Sequence, residues 1–477
     1  MKKRSCQNGS SLVFSVSELV EAIGGQLISD SSEIKVQGFS IDSRRVRVGD
    51  LFFAIQGERF DGHQFVEEAV KRGAVGVVIS DVSSLKSEIG VAKEPFVIVV
   101  RDTIRALQLL GLFVRRASRA RVVAITGSIG KTTTKELSAA LLESQHHVFR
   151  SKGNLNNHIG LPLSLLELRH LPDIAIVELG MNHPGEIGTL VRIAEPEIRV
   201  WTNVAEVHSE FFDSIEAIAD AKAELLDSAT SETQLIVNAA DPRVMARTSG
   251  FPGQMFTFGI GVDANVRATD LRALGLSGMA MKIHTPVGSA ELRTSLLGRG
   301  NIANILAAIS VALQFQVPLD VLLSRVNEFK SPPKRGEIIR LSGVTIVDDS
   351  YNSNPVALKC ALEAIGQESK VTRRVAVLGE MLELGRRSQA LHEACGRAAV
   401  ESGFDIVVAV GGDAAGSLAN GAISAGLTSS AVMTFKTSDE AADCTCKLIQ
   451  NGDLVLIKGS RGIETERIID RLKIELS

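Results

Sequence analysis

Apolar positions along this chain alternate between two rhythms, and the alternation predicts the fold. Val16–Ile23 reads as a helix that stops at Gly24. Val66 to Arg72 predicts a second helix, leading into the strand-like run Ala74–Ile79. Further along, Val122–Ile125, Asp173–Val177 and Arg199–Thr202 are apolar, β-like runs with helical segments between them. A last series follows at Val344–Val347, Arg374–Leu378, Asp405–Val410 and Leu454–Ile457. Strands separated by helices at this spacing point to an α/β fold with largely parallel sheets.

The pattern divides into three blocks, expected as domains over 1–117, 118–332 and 333–477. The basic stretch Arg115–Arg121 reads either as a linker or as a solvated helix end. The run Ser331-Pro332-Pro333-Lys334-Arg335-Gly336 breaks any helix and marks a second hinge. No short-period repeat or low-complexity tract interrupts the pattern.

Composition narrows the class. The 477 residues suit about three domains. A 45% hydrophobic and 22% charged content suits a soluble α/β enzyme. The net charge of −3 removes the electrostatic case for nucleic acid or a basic membrane face. No apolar run approaches the roughly 18 residues that span a bilayer. Basic Met1-Lys2-Lys3-Arg4 is followed by mostly polar residues, not by a signal-peptide core. The five cysteines lack zinc-ligand spacing and read as reduced thiols of a cytoplasmic protein.

Candidate chemistry begins at Val122–Thr134. A β-branched run enters Gly127-Ser128-Ile129-Gly130-Lys131-Thr132-Thr133, then a helix. Loop N–H groups and the helix N-terminus make an anion cradle, Lys131 adds charge, and the Thr132 hydroxyl suits Mg²⁺. These features predict a nucleoside triphosphate site. Gly127 lies three residues before Gly130, where the general phosphate-loop pattern places a glycine five before. Glu178 ends a strand, where a nucleotide-bound cation needs a hard oxygen. His208 follows another strand and reads equally as a ligand or a structural histidine. Lys222 reads by pattern as a solvated helix lysine. Asn301 and Asn304 stand one helical turn apart, as a purine-reading pair or as cap and packing residues. Asp348-Asp349-Ser350-Tyr351-Asn352-Ser353-Asn354-Pro355 gathers carboxylates, the only tyrosine and a turn at a strand end.

Taken together these segments resemble the Mur ligase family of bacterial cell-wall synthesis, over nearly the whole chain. Asp42-Ser43-Arg44, Gly49–Ala54 and Phe60–His63 are similar to the family's UDP-binding first domain, and Thr126–Thr133 to its shortened phosphate loop. Lys152–Pro162, Gly379–Gly385 and Lys458–Arg461 are similar to the branch that adds a D-alanyl-D-alanine dipeptide. The resemblance implies a UDP-binding α/β domain, a central phosphate-loop domain and a Rossmann-like last domain. It implies ATP-dependent amide ligation of D-alanyl-D-alanine to UDP-N-acetylmuramoyl-tripeptide through an acyl phosphate, by a cytoplasmic monomer.

The resemblance also implies residue roles. Gly127, Ser128, Gly130, Lys131, Thr132 and Thr133 would hold ATP, with Asn301, Asn304, Arg335 and Asp349. Thr132, Glu178, His208 and Lys222 would hold Mg²⁺, Lys222 as a carbamate; Lys131, Glu178, His208 and Lys222 would form the catalytic set. Asp42, Ser43 and Arg44 would grip the UDP end, with Asn156, Asn157, Tyr351 and Asn352 on substrate. The chain reads Gly298-Arg299-Gly300-Asn301 where the family has histidine before the asparagine, so rearranged nucleotide contacts are expected. The alternatives are a ligase adding a diamino acid as third residue, or a non-catalytic ATP-binding homologue. The first is disfavoured because its Asp-Asn-Pro-Arg-type motif is not found in the last block. Retention of Lys131, Glu178, His208 and Lys222 argues against the second.

Overall fold

The computed structural model describes residues 11–28, 34–57, 60–82, 95–207, 210–366, 368–369 and 371–476. The chain forms two compact units: residues 1–124 with 146–199, and residues 125–145 with 200–477.

The first unit contains a five-stranded sheet in the order Gln26–Leu27, Phe96–Val99, Gly76–Ile79, Asp50–Phe53 and Gly38–Ser40. All neighbours are parallel except the short first strand. Phe52, Val77 and Ile79 build its core against Ala69 and Val70 of the helix Val66–Lys71. The helix Val16–Ile23 opens on a capping box from Ser15 and Glu18 and closes on left-handed Gly24, as its pattern predicts.

The basic stretch is a helix end rather than a free linker, solvated at Arg116, Arg119 and Arg121 but not at Arg115. The helix Thr103–Ser118 runs through it, left-handed Arg119 ends the helix, and the next strand begins at Arg121. Arg115 is buried because it has carbonyls to satisfy. Its Nε donates to Ala194 O at 2.8 Å and its Nη2 to Glu195 O at 2.7 Å, capping the helix Glu186–Ala194. A buried guanidinium with such partners escapes the usual desolvation cost, which charge patterning alone does not reveal.

The second unit ends in a six-stranded sheet ordered Glu337–Leu341, Val344–Asp349, Asp453–Lys458, Arg373–Gly379, Ile406–Val410 and Val432–Phe435. Only the Glu337–Leu341 strand is antiparallel to its neighbour. The parallel strands are apolar on both faces and carry a separate core on each, the pattern of a doubly wound sheet. Asp349 and Lys458 are register partners, as are Leu378 and Lys458. Three adjacent strands therefore release their following loops at one edge, where open α/β sheets bind ligands.

Candidate functional site

The phosphate loop lies in the second unit and is held from beneath. Gly127 (φ +149°) and Gly130 (φ +86°) occupy positions where a Cβ would strike Thr202 Oγ1 and Asn304 Oδ1. The loop is therefore glycine at both ends for close approach as well as for conformation. Thr202 Oγ1 donates to Ile129 O at 2.9 Å. Asn203 brackets the same residue: its Oδ1 accepts from Ile129 N at 3.0 Å and its Nδ2 donates to Ile129 O at 2.9 Å. Ser128 N donates to Asn203 O at 3.1 Å. Two loop N–H groups are thus consumed by the segment below. The remaining donors belong to the start of the helix Lys131–Leu142, whose first-turn N–H groups have no intrahelical acceptor. The Lys131 ammonium lies over the loop, donating to Gly127 O at 2.6 Å.

Lys222 corrects the sequence reading. It sits on the helix Ile215–Ala223, 2% exposed, not on a solvated face. Glu216 and Asp220 take the solvent side and pair with Arg243 and Arg247, leaving Ile218, Ala221 and Lys222 inward. Burial, and then the positive charge of Lys131, push its amine well below the usual lysine range. The neutral form so favoured is a nucleophile.

The two asparagines of the helix Gly298–Leu313, one turn apart, meet each other. Asn304 Nδ2 donates to Asn301 Oδ1 at 3.1 Å, and Asn301 Nδ2 to Leu297 O at 2.9 Å. Asn304 is buried against Gly130 and accepts from Thr134 Oγ1 at 3.3 Å. It supports the loop from below. Gly300 has open space where the first carbon of a side chain would stand.

Arg335 joins the last block to the loop. Its Nη2 donates to Thr132 Oγ1 at 3.1 Å while its guanidinium stacks on Tyr351, 4.0 Å from the ring centroid. Arg461 lies 5.9 Å from the same centroid. Asp349 pairs with the buried Lys458 amine at 2.5 Å, and Lys458 also donates to Asn352 O at 2.9 Å. This arrangement fixes the loop that carries Tyr351 and Asn352.

The first unit carries the other candidates. Glu178 is the buried last residue of the strand Ile174–Glu178, as its pattern predicts. Asn156 packs on Gly180, and Asn157 Oδ1 caps the start of the helix Gly160–Leu165 through Gly160 N at 2.8 Å. Arg44, 78% exposed, is held by a two-pronged pair to Asp42, both bonds 2.9 Å, which keeps the Asp42 carboxyl below its ordinary range. Ser43 is buried and donates to Glu68 at 2.8 Å, so its hydroxyl serves the fold. His208 lies outside the described residues.

Sequence reasoning did not single out Thr202, Asn203, Asp241 or Ser353. Asp241 caps the helix Pro242–Ala246 and its Oδ2 accepts from Val204 N at 2.7 Å, steadying the segment that clamps the loop. The available signal was polar residues directly after an apolar strand, Thr202-Asn203, beside a phosphate loop too short to fold over itself.

Three family models match in succession: "Mur ligase family, catalytic domain" over residues 35–115, "Mur ligase middle domain" over 125–312 and "Mur ligase, glutamate ligase domain" over 334–461. The UDP-N-acetylmuramoyl-tripeptide–D-alanyl-D-alanine ligase of Bacillus subtilis is 32% identical over 96% of this chain and 98% of its own length. A crystal structure of MurF from Acinetobacter baumannii superposes with a TM-score of 0.85 at 30% identity, covering 97% of this chain and 99% of that one. The MurF ligase of Thermotoga maritima, solved in complex with ADP, gives a TM-score of 0.80 at 28% identity, covering 92% and 98%. With a clamped, shortened phosphate loop at its centre and full-length relatives of this kind, the chain belongs to the Mur ligase family, on its MurF-like side.

Proposed function

We propose that this protein is an ATP-dependent amide ligase that joins D-alanyl-D-alanine to UDP-N-acetylmuramoyl-tripeptide in peptidoglycan precursor synthesis, acting as a cytoplasmic monomer. The observation that carries the reading is the pairing of Lys131, over the phosphate loop, with a buried, deprotonation-prone Lys222. A scaffold that only bound nucleotide would have no use for the second lysine at such a cost in desolvation.

Carboxylate and amine do not condense unaided in water. Transfer of the γ-phosphoryl group from ATP to the tripeptide's terminal carboxylate makes an O–P bond and releases ADP. The amine of the dipeptide then attacks the acyl phosphate carbonyl, sheds a proton, and inorganic phosphate leaves. Bringing ATP to a carboxylate joins two anions, so concentrated positive charge is the main requirement. Lys131, the helix N-terminus behind it and Arg335 on Thr132 supply that charge from this chain.

Thr132, Glu178, His208 and Lys222 are the residues proposed to hold Mg²⁺, which when bound would neutralise phosphate charge. The donor set fits once Lys222 carries CO₂, because the carbamate converts a cation into a carboxylate-like oxygen donor. A neutral amine is the form that takes up CO₂, and burial beside Lys131 favours it. Arg44 is proposed to meet the UDP end, and Asn156 the muramoyl peptide, with Asn157 and Ser43 shaping their loops. Asn301, Arg335 and Asp349 are proposed on the nucleotide, with Asn304 acting through Gly130.

A panel of UDP-muramoyl tripeptides and D-amino-acid dipeptides, with product mass and phosphate release as readouts, tests the reading. Product with D-alanyl-D-alanine supports it. Product only from a UDP-muramoyl dipeptide with a diamino acid overturns it.

A further inference from the structure

Lys334 holds a backbone conformation that few residues with a side chain adopt. It stands between Pro333 and Arg335 in the left-handed region, at φ +64°. Gly336, two positions on, is left-handed as well at φ +78°, where glycine meets no penalty. Arg335 is thus carried between two left-handed residues, in a bend that lays its guanidinium on Tyr351 and its Nη2 on Thr132 Oγ1. Backbone of this kind persists only where its surroundings over-determine it, and it gathers at functional sites.

Four bonds hold the bend. Arg335 N donates to Pro332 O at 3.1 Å, Gly336 N to Asp348 O at 2.8 Å and Tyr351 N to Lys334 O at 3.2 Å. These three need no particular side chain. The fourth does: Lys334 Nζ donates to Glu466 Oε1 at 3.1 Å, across 132 residues of sequence. Glu466 is the first residue of the helix Glu466–Leu476, where the helix N-terminus favours a carboxylate, and its side chain is only 14% exposed. The same oxygen accepts from Arg461 Nη1 at 2.7 Å, and Arg461 lies 5.9 Å from the ring on which Arg335 stacks. One carboxylate oxygen therefore ties the hinge to the loop that follows the strand Asp453–Lys458, and both ties lead to the Arg335–Tyr351 stack.

Resting on the ligase reading above, we propose that Glu466 is a positioning residue for nucleotide binding: through Lys334 it fixes the bend that presents Arg335 to the phosphate loop. Its own side-chain bonds are to Lys334 and Arg461, so it acts on the loop at second hand. Without its charge the left-handed Lys334 loses the one partner that a side chain supplies. Arg335 is then free to leave Thr132, and the loop loses a cation that faces phosphate.

The test is a double-mutant cycle on ATP affinity, read by nucleotide titration of the full chain. Arg335→Met should weaken ATP binding about tenfold, the scale of one lost charge-assisted contact. Glu466→Gln keeps the size of the side chain and removes its charge; it should weaken ATP binding about three- to fivefold, the scale of a partly exposed ion pair. In the Arg335→Met background the same change should add less than about 1.5-fold, because the residue it positions is gone. Lys334→Met should reproduce the loss seen in Glu466→Gln, and combining these two should add little. A role in folding alone would lower the melting temperature with or without Arg335 and leave ATP affinity in place. Wild-type ATP affinity in Glu466→Gln, or a loss that multiplies in full with that of Arg335→Met, overturns the proposal. Wild-type affinity in Lys334→Met overturns the route through Lys334. The ligase reading fails differently: a wild type that binds ATP but releases no phosphate with UDP-muramoyl tripeptide and D-alanyl-D-alanine ends that reading and leaves the cycle measurable. A wild type that binds no ATP ends both.

Discussion

Asn203 holds Ile129 through both sides of one side-chain amide, accepting from its N–H at 3.0 Å and donating to its carbonyl at 2.9 Å. A side chain thereby stands in for a neighbouring strand, and the phosphate loop is kept in one shape without the longer turn that other phosphate loops use. Asn203→Ala removes both bonds, leaving the Ile129 N–H without its partner and its carbonyl held by Thr202 Oγ1 alone, a loss of about 1–3 kcal/mol in loop order. ATP affinity should fall about tenfold or more on that scale. Asn203→Asp should be worse, because it keeps the acceptor, loses the donor and puts negative charge beside phosphate. Trp201, the only tryptophan and two residues away, offers a fluorescence titration to measure both. Equal ATP affinity in wild type and Asn203→Ala would mean the loop holds itself.

Lys222→Ala should abolish ligation, by at least about the 10²–10³ expected for losing one charge-stabilising group. A short-chain carboxylic acid added to the medium should restore a fraction of the rate in this variant, by supplying the missing oxygen donor. The same acid should do nothing for the wild type. Full activity in Lys222→Ala would remove the residue from the chemistry.

Gly300 occupies the first turn of a helix with no left-handed φ and with open space where a side chain would go. Gly300→Ala should therefore stabilise the protein by about 0.5–1 kcal/mol, since glycine carries excess unfolded-state entropy. Gly300→His, restoring the residue that relatives are expected to carry, should fold equally well and tighten ATP binding. Denaturant melts and nucleotide titrations check the two parts separately. A destabilised Gly300→Ala would show that the space is filled by something else.

His392 gives the pH prediction. Its ring is buried, with Nε2 accepting from Met381 N at 2.8 Å and Nδ1 donating to Ser388 O at 2.7 Å. Accepting at Nε2 requires the neutral ring, whereas the Nδ1 bond survives protonation. Burial lowers its pKa, with the Ser388 carbonyl and Glu380 opposing that shift. Between the lowered folded pKa and an unfolded value of about 6.5, the unfolded chain binds the extra proton. Stability contributed here is therefore full above about pH 6.5 and declines as pH falls below it. His392→Gln, whose amide supplies both a donor and an acceptor, should flatten that part of the acid decline. An unchanged pH profile of denaturant midpoints in this variant would assign the decline to other groups.

Much of the fold was legible. The βα alternation, the helix ending at Gly24 and the carboxylate closing the Ile174–Glu178 strand all follow from periodicity and chain punctuation. The buried charges were not. Arg115 and Lys222 sit in stretches that look solvated, and only the carbonyls of a distant helix or the cation over the loop reveal why they are inside. Asparagine was ambiguous for a related reason. Asn157, Asn203, Asn301 and Asn304 all carry the same amide, yet their partners here are backbone groups, one another and the Thr134 hydroxyl, a choice made by the tertiary fold. Arg335 was placed by resemblance alone, and periodicity gave no sign of its contact with Thr132.

The most direct test of the proposed chemistry is the fate of oxygen. UDP-muramoyl tripeptide labelled with ¹⁸O in its terminal carboxylate is ligated to D-alanyl-D-alanine, and the released phosphate is analysed by mass spectrometry. An acyl phosphate transfers one labelled oxygen to each inorganic phosphate formed, and that is the expected result. Unlabelled phosphate accompanying the ligated product would show that the carboxylate was never phosphorylated, and would contradict the mechanism at its first step.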